Sequence, residues 1–282
     1  MPFVDPVKPG EKVRLARIDS HETGGLNEED ARALTGSLGM ELSELQELLY
    51  AAGTHSLLVV LQGMDTSGKD GVVRGVFTHL NPQGVRVASF KVPTPLERAH
   101  DYLWRVHQQV PELGMTVVFN RSHYECVVVE RVKHIVPESV WKHRYAQINQ
   151  FEELLASEGT IILKFFLHIS KEEQERRLLA REQDITKAWK LSASDWIERE
   201  NWDAYQAAYD DALTKCSTAV APWFVVPADK KWFRDLVVAE AVRDRLEPLK
   251  RGWLKTLEDR GRIERAAVEE VRTATRSNRS GR

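Results

Sequence analysis

Residues 56–71 read S-L-L-V-V-L-Q-G-M-D-T-S-G-K-D-G, an apolar run that empties into a glycine-rich turn. The run 56–62 has the length and branching of a strand buried on both faces, and a helical pattern follows residue 71. In a strand, turn and helix of this kind the turn's N–H groups point inward and the helix start adds a positive dipole. Gly63, Gly68 and Gly71 let the backbone wrap an anion, with Thr66 and Ser67 between them, and Lys69 supplies a full charge. The spacing G-x-x-x-x-G-K is that of a phosphate loop. An incidental glycine turn is the plainer alternative, but strand, spacing and helix agree against it.

Two acids set this loop apart. Asp70 stands where nucleotide triphosphatases usually have Ser or Thr to hold magnesium, which argues against an ATP-driven motor or a GTPase. Asp65 would repel a phosphate facing it, so it makes sense as a carboxylate that holds a divalent cation or an incoming nucleophile. A local hydrogen-bonding role is its simpler alternative. Arg74 lies on the following helix as a further cation.

Working outward, further short apolar runs begin at Val85 (V-R-V-A-S-F), Thr116 (T-V-V-F-N), Thr160 (T-I-I-L-K-F-F-L-H) and Trp223 (W-F-V-V). Amphipathic stretches over 95–110, 139–156, 171–181, 195–215 and 231–246 alternate with them. That alternation predicts a doubly wound α/β parallel sheet with helices on both faces, and its ligands beyond the strands' carboxyl ends. The third strand empties there into N-R-S-H-Y-E, residues 120–125. Arg121 can pair bidentately with a phosphate, and Glu125 is the nearest acid able to reach a metal. After the fourth strand, Arg176, Arg177, Arg181, Lys187 and Lys190 mark a basic helical lid over about 171–200. Trp202, Tyr205 and Tyr209 recur at helical spacing, as core aromatics more readily than as a base-stacking platform. His123 and His134 show no partner pattern for a phosphorylated intermediate or a metal ligand.

Residues 1–54 read as an extended arm and an amphipathic helix, with Leu42, Leu45, Leu48 and Leu49 at helical spacing; residues 55–250 read as the P-loop domain. The tail 251–282 is charged, and its end reads as frayed. Net charge is −2 over 282 residues, so there is no global field for nucleic acid or an anionic membrane. No segment reads as a signal peptide or a membrane span, and two cysteines make no disulfide framework, which together fit a cytoplasmic protein.

The loop G-M-D-T-S-G-K-D-G, the turn N-R-S-H-Y-E, and the later W-K-x-S, W-D-x-Y and A-P-W-F-V-V-P-A-D-K-K together resemble the polyphosphate kinase 2 family over about residues 42–249. The resemblance implies a thymidylate-kinase-like P-loop fold with a mobile lid, and a homo-oligomer. It implies magnesium, or manganese, as cofactor. It also implies reversible transfer between inorganic polyphosphate and adenine, or guanine, nucleotides. By it Asp65 and Lys69 match the family's essential loop acid and lysine, Arg121 the arginine after the third strand, and Arg177 or Arg181 a lid arginine. Many members have Asp at the position of Asn120. A subset that phosphorylates both nucleoside mono- and diphosphates resembles this chain, with Asn there and Glu after the Tyr. In that subset an acid follows the Glu, where this chain has Cys126.

The expected chemistry is direct in-line transfer. The polyphosphate end lies along Lys69, Arg121 and the lid, and a metal sits on Asp65 and Glu125. The alternatives are an ATP-dependent nucleoside monophosphate kinase and a catalytically silent nucleotide- or polyphosphate-binding protein.

Overall fold

Five strands carry the apolar runs: β1 (Ser56–Gln62), β2 (Val85–Ser89), β3 (Thr116–Asn120), β4 (Thr160–His168) and β5 (Trp223–Pro227). They form one sheet in the order β2-β3-β1-β4-β5, and every pairing is parallel. All residues of β1 and β4 are buried, which is why both read as unbroken apolar stretches. The computed structural model describes residues 2–190 and 193–280, the side chains of 187, 188, 190 and 276–280 excepted.

The helices are α1 (Glu28–Ala52), α2 (Lys69–Val76), α3 (Pro95–Arg98), α4 (Trp104–His107), α5 (Glu125–Val132), α6 (Glu138–Ser157), α7 (Lys171–Gln183), α8 (Ala193–Glu200), α9 (Trp202–Cys216), α10 (Lys231–Leu246) and α11 (Lys250–Ser280). Asn27 starts α1 by accepting from Asp30 N at 2.9 Å, and Gly53 ends it in the left-handed conformation at φ 60°. α1, α2, α10 and α11 pack as one group, and α5, α6 and α9 as another. Leu42, Leu45 and Leu49 of α1 join the same apolar core as the strands, so the division expected at residue 54 does not interrupt it. The arm is also tied down. Val7 N donates to Trp223 O at 2.8 Å, Ser217 Oγ donates to Val7 O at 2.6 Å, and Val7, Val13 and Leu15 are buried.

Three expectations need correction. The stretch 95–110 is not one helix but α3 and α4, because Asp101 Oδ1 accepts from Leu103 N and Trp104 N and turns the chain between them. The stretch 195–215 is interrupted at Asn201 (φ −89°, ψ 17°). Residues 125–132 are helical, although no helix was expected there. The charged tail runs as the helix α11 to Ser280, and its last two residues, where fraying was expected, lie outside the described ones.

The order of the strands fixes where a ligand can sit. β1 and β3 are neighbours in register Leu61↔Asn120, while their outgoing connections lead to opposite sides of the sheet. The loop after β1 and the turn after β3 therefore open a crevice at the carboxyl edge.

Candidate active site

The loop between β1 and α2 is closed by its own lysine. Lys69 Nζ donates to Gly63 O at 2.8 Å and Met64 O at 3.2 Å, with Ser67 Oγ at 3.5 Å. Gly63 and Gly68 have positive φ, and a Cβ on Gly63 would meet Leu167 O and Ser67 Oγ, both at 2.7 Å. Thr66 holds φ 65° despite its branched side chain, and its buried Oγ1 has no hydrogen-bond partner. Such strain persists only where the surroundings impose it.

Here two buried arginines impose it from behind. Arg177 Nη1 donates to Thr66 O at 2.9 Å and Ser67 O at 3.1 Å, Nη2 donates to Ala228 O at 2.6 Å and Asp229 O at 3.1 Å, and Nε donates to Glu173 at 2.6 Å. Every donor nitrogen of this guanidinium is engaged beneath the loop. Arg177, expected with Arg181 as an alternative lid arginine, brackets the loop to the residues just after β5. Arg234, on α10, is the second. A Cβ on Gly68 would lie 2.0 Å from its Nη1 and one on Gly71 2.7 Å from its Nη2, so both glycines leave room for it. Asp235 holds Arg234 through bonds of 2.8 and 2.7 Å. The sequence reading passed over Arg234; the only signal was its position just beyond the A-P-W-F-V-V-P-A-D-K-K run.

The turn after β3 faces two ways. Outward, Arg121 sits at φ 62° and spans both acids, with Nη2 to Asp65 Oδ1 at 2.5 Å and Nη1 to Glu125 Oε2 at 2.8 Å. Asn120 Nδ2 donates to Asp70 Oδ1 at 2.7 Å. Inward, Tyr124 OH donates to Glu152 Oε1 at 2.9 Å, and His123 Nε2 lies 3.1 Å from the same oxygen. Lys164 of β4 completes the group at 2.5 Å from Glu152 Oε2, with both side chains fully buried. Burial alone would push the Glu152 carboxyl up, but Lys164 and His123 hold it below the usual carboxylate range. His123 is thus an anchor of the turn.

The segment expected to form a lid comprises α7 and α8. Arg181 Nη1 donates to Asp195 Oδ2 at 3.0 Å and Arg199 Nη2 to Glu175 Oε2 at 2.5 Å, which joins the two helices. Gln174 reaches Asp65 O at 3.2 Å and ties the lid to the loop. Burial and the nearby charge of Asp65 raise the Asp195 carboxyl. Arg74 is exposed on the last turn of α2. The side chain of Lys190, expected to bind phosphate, lies outside the described residues. Trp202, Tyr205 and Tyr209 are buried and line a small cavity with Met64, Asp65 and Arg121.

The acids suit a hard cation. Glu125 Oε1 is buried with no hydrogen-bond partner, beside the Asp65 carboxylate that shares Arg121. Among the described residues no group of three or more His, Cys, Asp or Glu could hold a metal. Cys126 adds no charge. Its thiol is buried, and burial pushes its pKa far up, so it stays protonated.

A family profile described as Polyphosphate kinase 2 (PPK2) matches residues 25–251. The AMP/ADP-polyphosphate phosphotransferase of Meiothermus ruber is 52% identical over 245 residues, covering 86% of this chain and 92% of that protein. The ADP-polyphosphate phosphotransferase of Rhodopseudomonas palustris is 44% identical over 227 residues, covering 76% and 78%. The crystal structure of Polyphosphate Kinase 2 from Arthrobacter aurescens TC1 superposes with a TM-score of 0.82 at 42% identity, covering 88% of this chain and 93% of that one.

Proposed function

The chain belongs to the polyphosphate kinase 2 family, and from that premise we propose that it transfers phosphoryl groups reversibly between inorganic polyphosphate and adenine nucleotides, accepting both AMP and ADP. The observation that carries this reading is Arg121, which spans Asp65 of the loop and Glu125 of the turn at 2.5 and 2.8 Å. A cation between two carboxylates, one of them the phosphate loop's own Asp65, can take up a phosphoryl oxygen as its acidic partners turn to a divalent ion. The occurrence of Asn at 120 together with Glu at 125, as in the subset this chain resembles, supports acceptance of both acceptors, as does the name of the Meiothermus ruber relative.

The residues divide the work. The Gly63-to-Gly71 backbone and Lys69 receive the polyphosphate end, Arg121 neutralises charge on the transferring group, and the lid with Arg181 closes over it and excludes water. Asp65 and Glu125 would hold magnesium or manganese, which when bound neutralises phosphate charge and orients the reacting oxygens. A nucleotide phosphate is already ionised near neutral pH, so no strong general base is required.

The test is donor specificity. Incubation with polyphosphate and magnesium is expected to convert AMP to ADP and ADP to ATP. Consumption of ATP with AMP, while polyphosphate stays intact, would instead establish an ATP-dependent nucleotide kinase. Binding without turnover in any combination would establish a silent binder.

A further inference from the structure

The loop and the arginine turn have to keep a fixed spacing, and a buried chain of hydrogen bonds runs between them. It begins on α9, where Tyr209 OH lies 3.2 Å from Gln62 Oε1 and 3.5 Å from Gly63 O, the carbonyl that also receives Lys69 Nζ. It continues from Gln62 Nε2 to Ser122 Oγ at 3.0 Å, and Ser122 Oγ accepts from Tyr124 N at 3.2 Å. Gln62 is fully buried, and Ser122 and Tyr209 are nearly so. The bonds are therefore shielded from water, where each one broken leaves a polar group stranded.

Position explains why Gln62 holds the centre. It is the last residue of β1, directly before the loop, and the register pairs its predecessor Leu61 with Asn120, directly before Arg121. A glutamine amide has one acceptor and two donors, so it can reach α9 with one end and the turn with the other. An apolar residue would fill the space as well but connect nothing.

We infer that Gln62, with Ser122 and Tyr209, is a positioning strut that sets the distance between the Lys69 loop and Arg121, and so the alignment of the transferring phosphoryl group. None of the three touches the reacting atoms in this assignment; they act through Gly63 and Arg121. A displacement of about 1 Å at a reacting centre can cost up to about 10²-fold in rate, which is the scale such a strut protects.

The inference rests on the phosphotransferase reading, and a variant series on the full chain separates the two. Ser122→Ala and Tyr209→Phe each remove one hydroxyl with little change of shape, and Gln62→Leu removes the hub. Each is expected to lower kcat by about 10-fold or more while the nucleotide KM stays within about two-fold. Ser122→Ala and Tyr209→Phe combined are expected to be no worse than Gln62→Leu, because all three break the same chain. Thermal unfolding of each variant supplies the control. If kcat is parental, if it falls only as the folded fraction falls, or if the single effects multiply as independent losses, the strut is refuted. Should the parent itself leave polyphosphate untouched, the phosphotransferase reading fails instead.

Discussion

Lys69 carries its charge where charge is costly. Burial, reinforced by the Arg121 guanidinium, pulls its ammonium from 10.5 down to about 8, against the opposing influence of Asp65, Glu125 and Asp70. Between those two values the unfolded chain binds the proton and the folded chain does not, so stability rises with pH across that window. Below it the folded protein bears a penalty of about 3 kcal/mol. Lys69→Met is therefore expected to raise the urea midpoint near neutral pH while lowering turnover by about 10²-fold or more. A variant both active and no more stable than the parent contradicts both halves. The same depressed value makes a kinetic prediction: kcat/KM falls as pH rises through about 8, because that profile reports the free enzyme. Lys69→Arg, whose guanidinium does not titrate, should lose that basic limb whatever its absolute rate. A limb that survives in the arginine variant would belong to another group.

At the level of the elements, the loop is only as well defined as what lies behind it. Arg177 joins α7 to four carbonyl oxygens, two in the loop and two just after β5. Arg177→Met strands those acceptors, while Glu173 keeps its two bonds from Arg176, so the expected cost is about 1–3 kcal/mol for each buried acceptor left unpaired. Denaturant titration should show that loss, and hydrogen exchange should place the extra opening in the amides around residues 64–72. Uniform exchange with an unmoved midpoint would remove Arg177 from the loop's support. β1, β3, β4 and β5 were legible because burial on both faces leaves unbroken apolar runs, and the phosphate loop because its glycines and lysine stand at a fixed spacing. α5 was not, since V-V-V at 127–129 is β-branched and takes helical form only against α6 and α9. Nor was the bracket. Arg177 read as a lid arginine and Arg234 was not singled out, and only the fold brings them under Gly68, where a Cβ would collide with Arg234.

For the whole molecule, the open question is what lies outside the shared core. The family match ends at residue 251, one residue into α11, yet the helix runs on to Ser280. Its first turns are firmly seated. Trp253 is buried and donates to His55 Nδ1 at 3.2 Å, and Arg260 caps the end of α1 with bonds to Ala51 O at 3.0 Å and Ala52 O at 3.1 Å. Residues 262–275 are exposed in every position, so that part of the helix buries nothing against the body. Helix propensity alone is marginal over such a length, and apolar burial supplies most of a domain's stability. Truncation after Gly261 is therefore expected to leave the thermal midpoint and the turnover with AMP and ADP unchanged. Truncation after Leu249 removes Trp253 and the cap on α1, and should lower the midpoint by several degrees, as about 2–4 kcal/mol does in a domain of this size. Calorimetry of the two truncations beside the parent decides the matter. A loss already present in the longer truncation product would mean that the projecting half of α11 has a partner in solution, and its apolar residues Ile263, Val268 and Val271 would be the place to seek it.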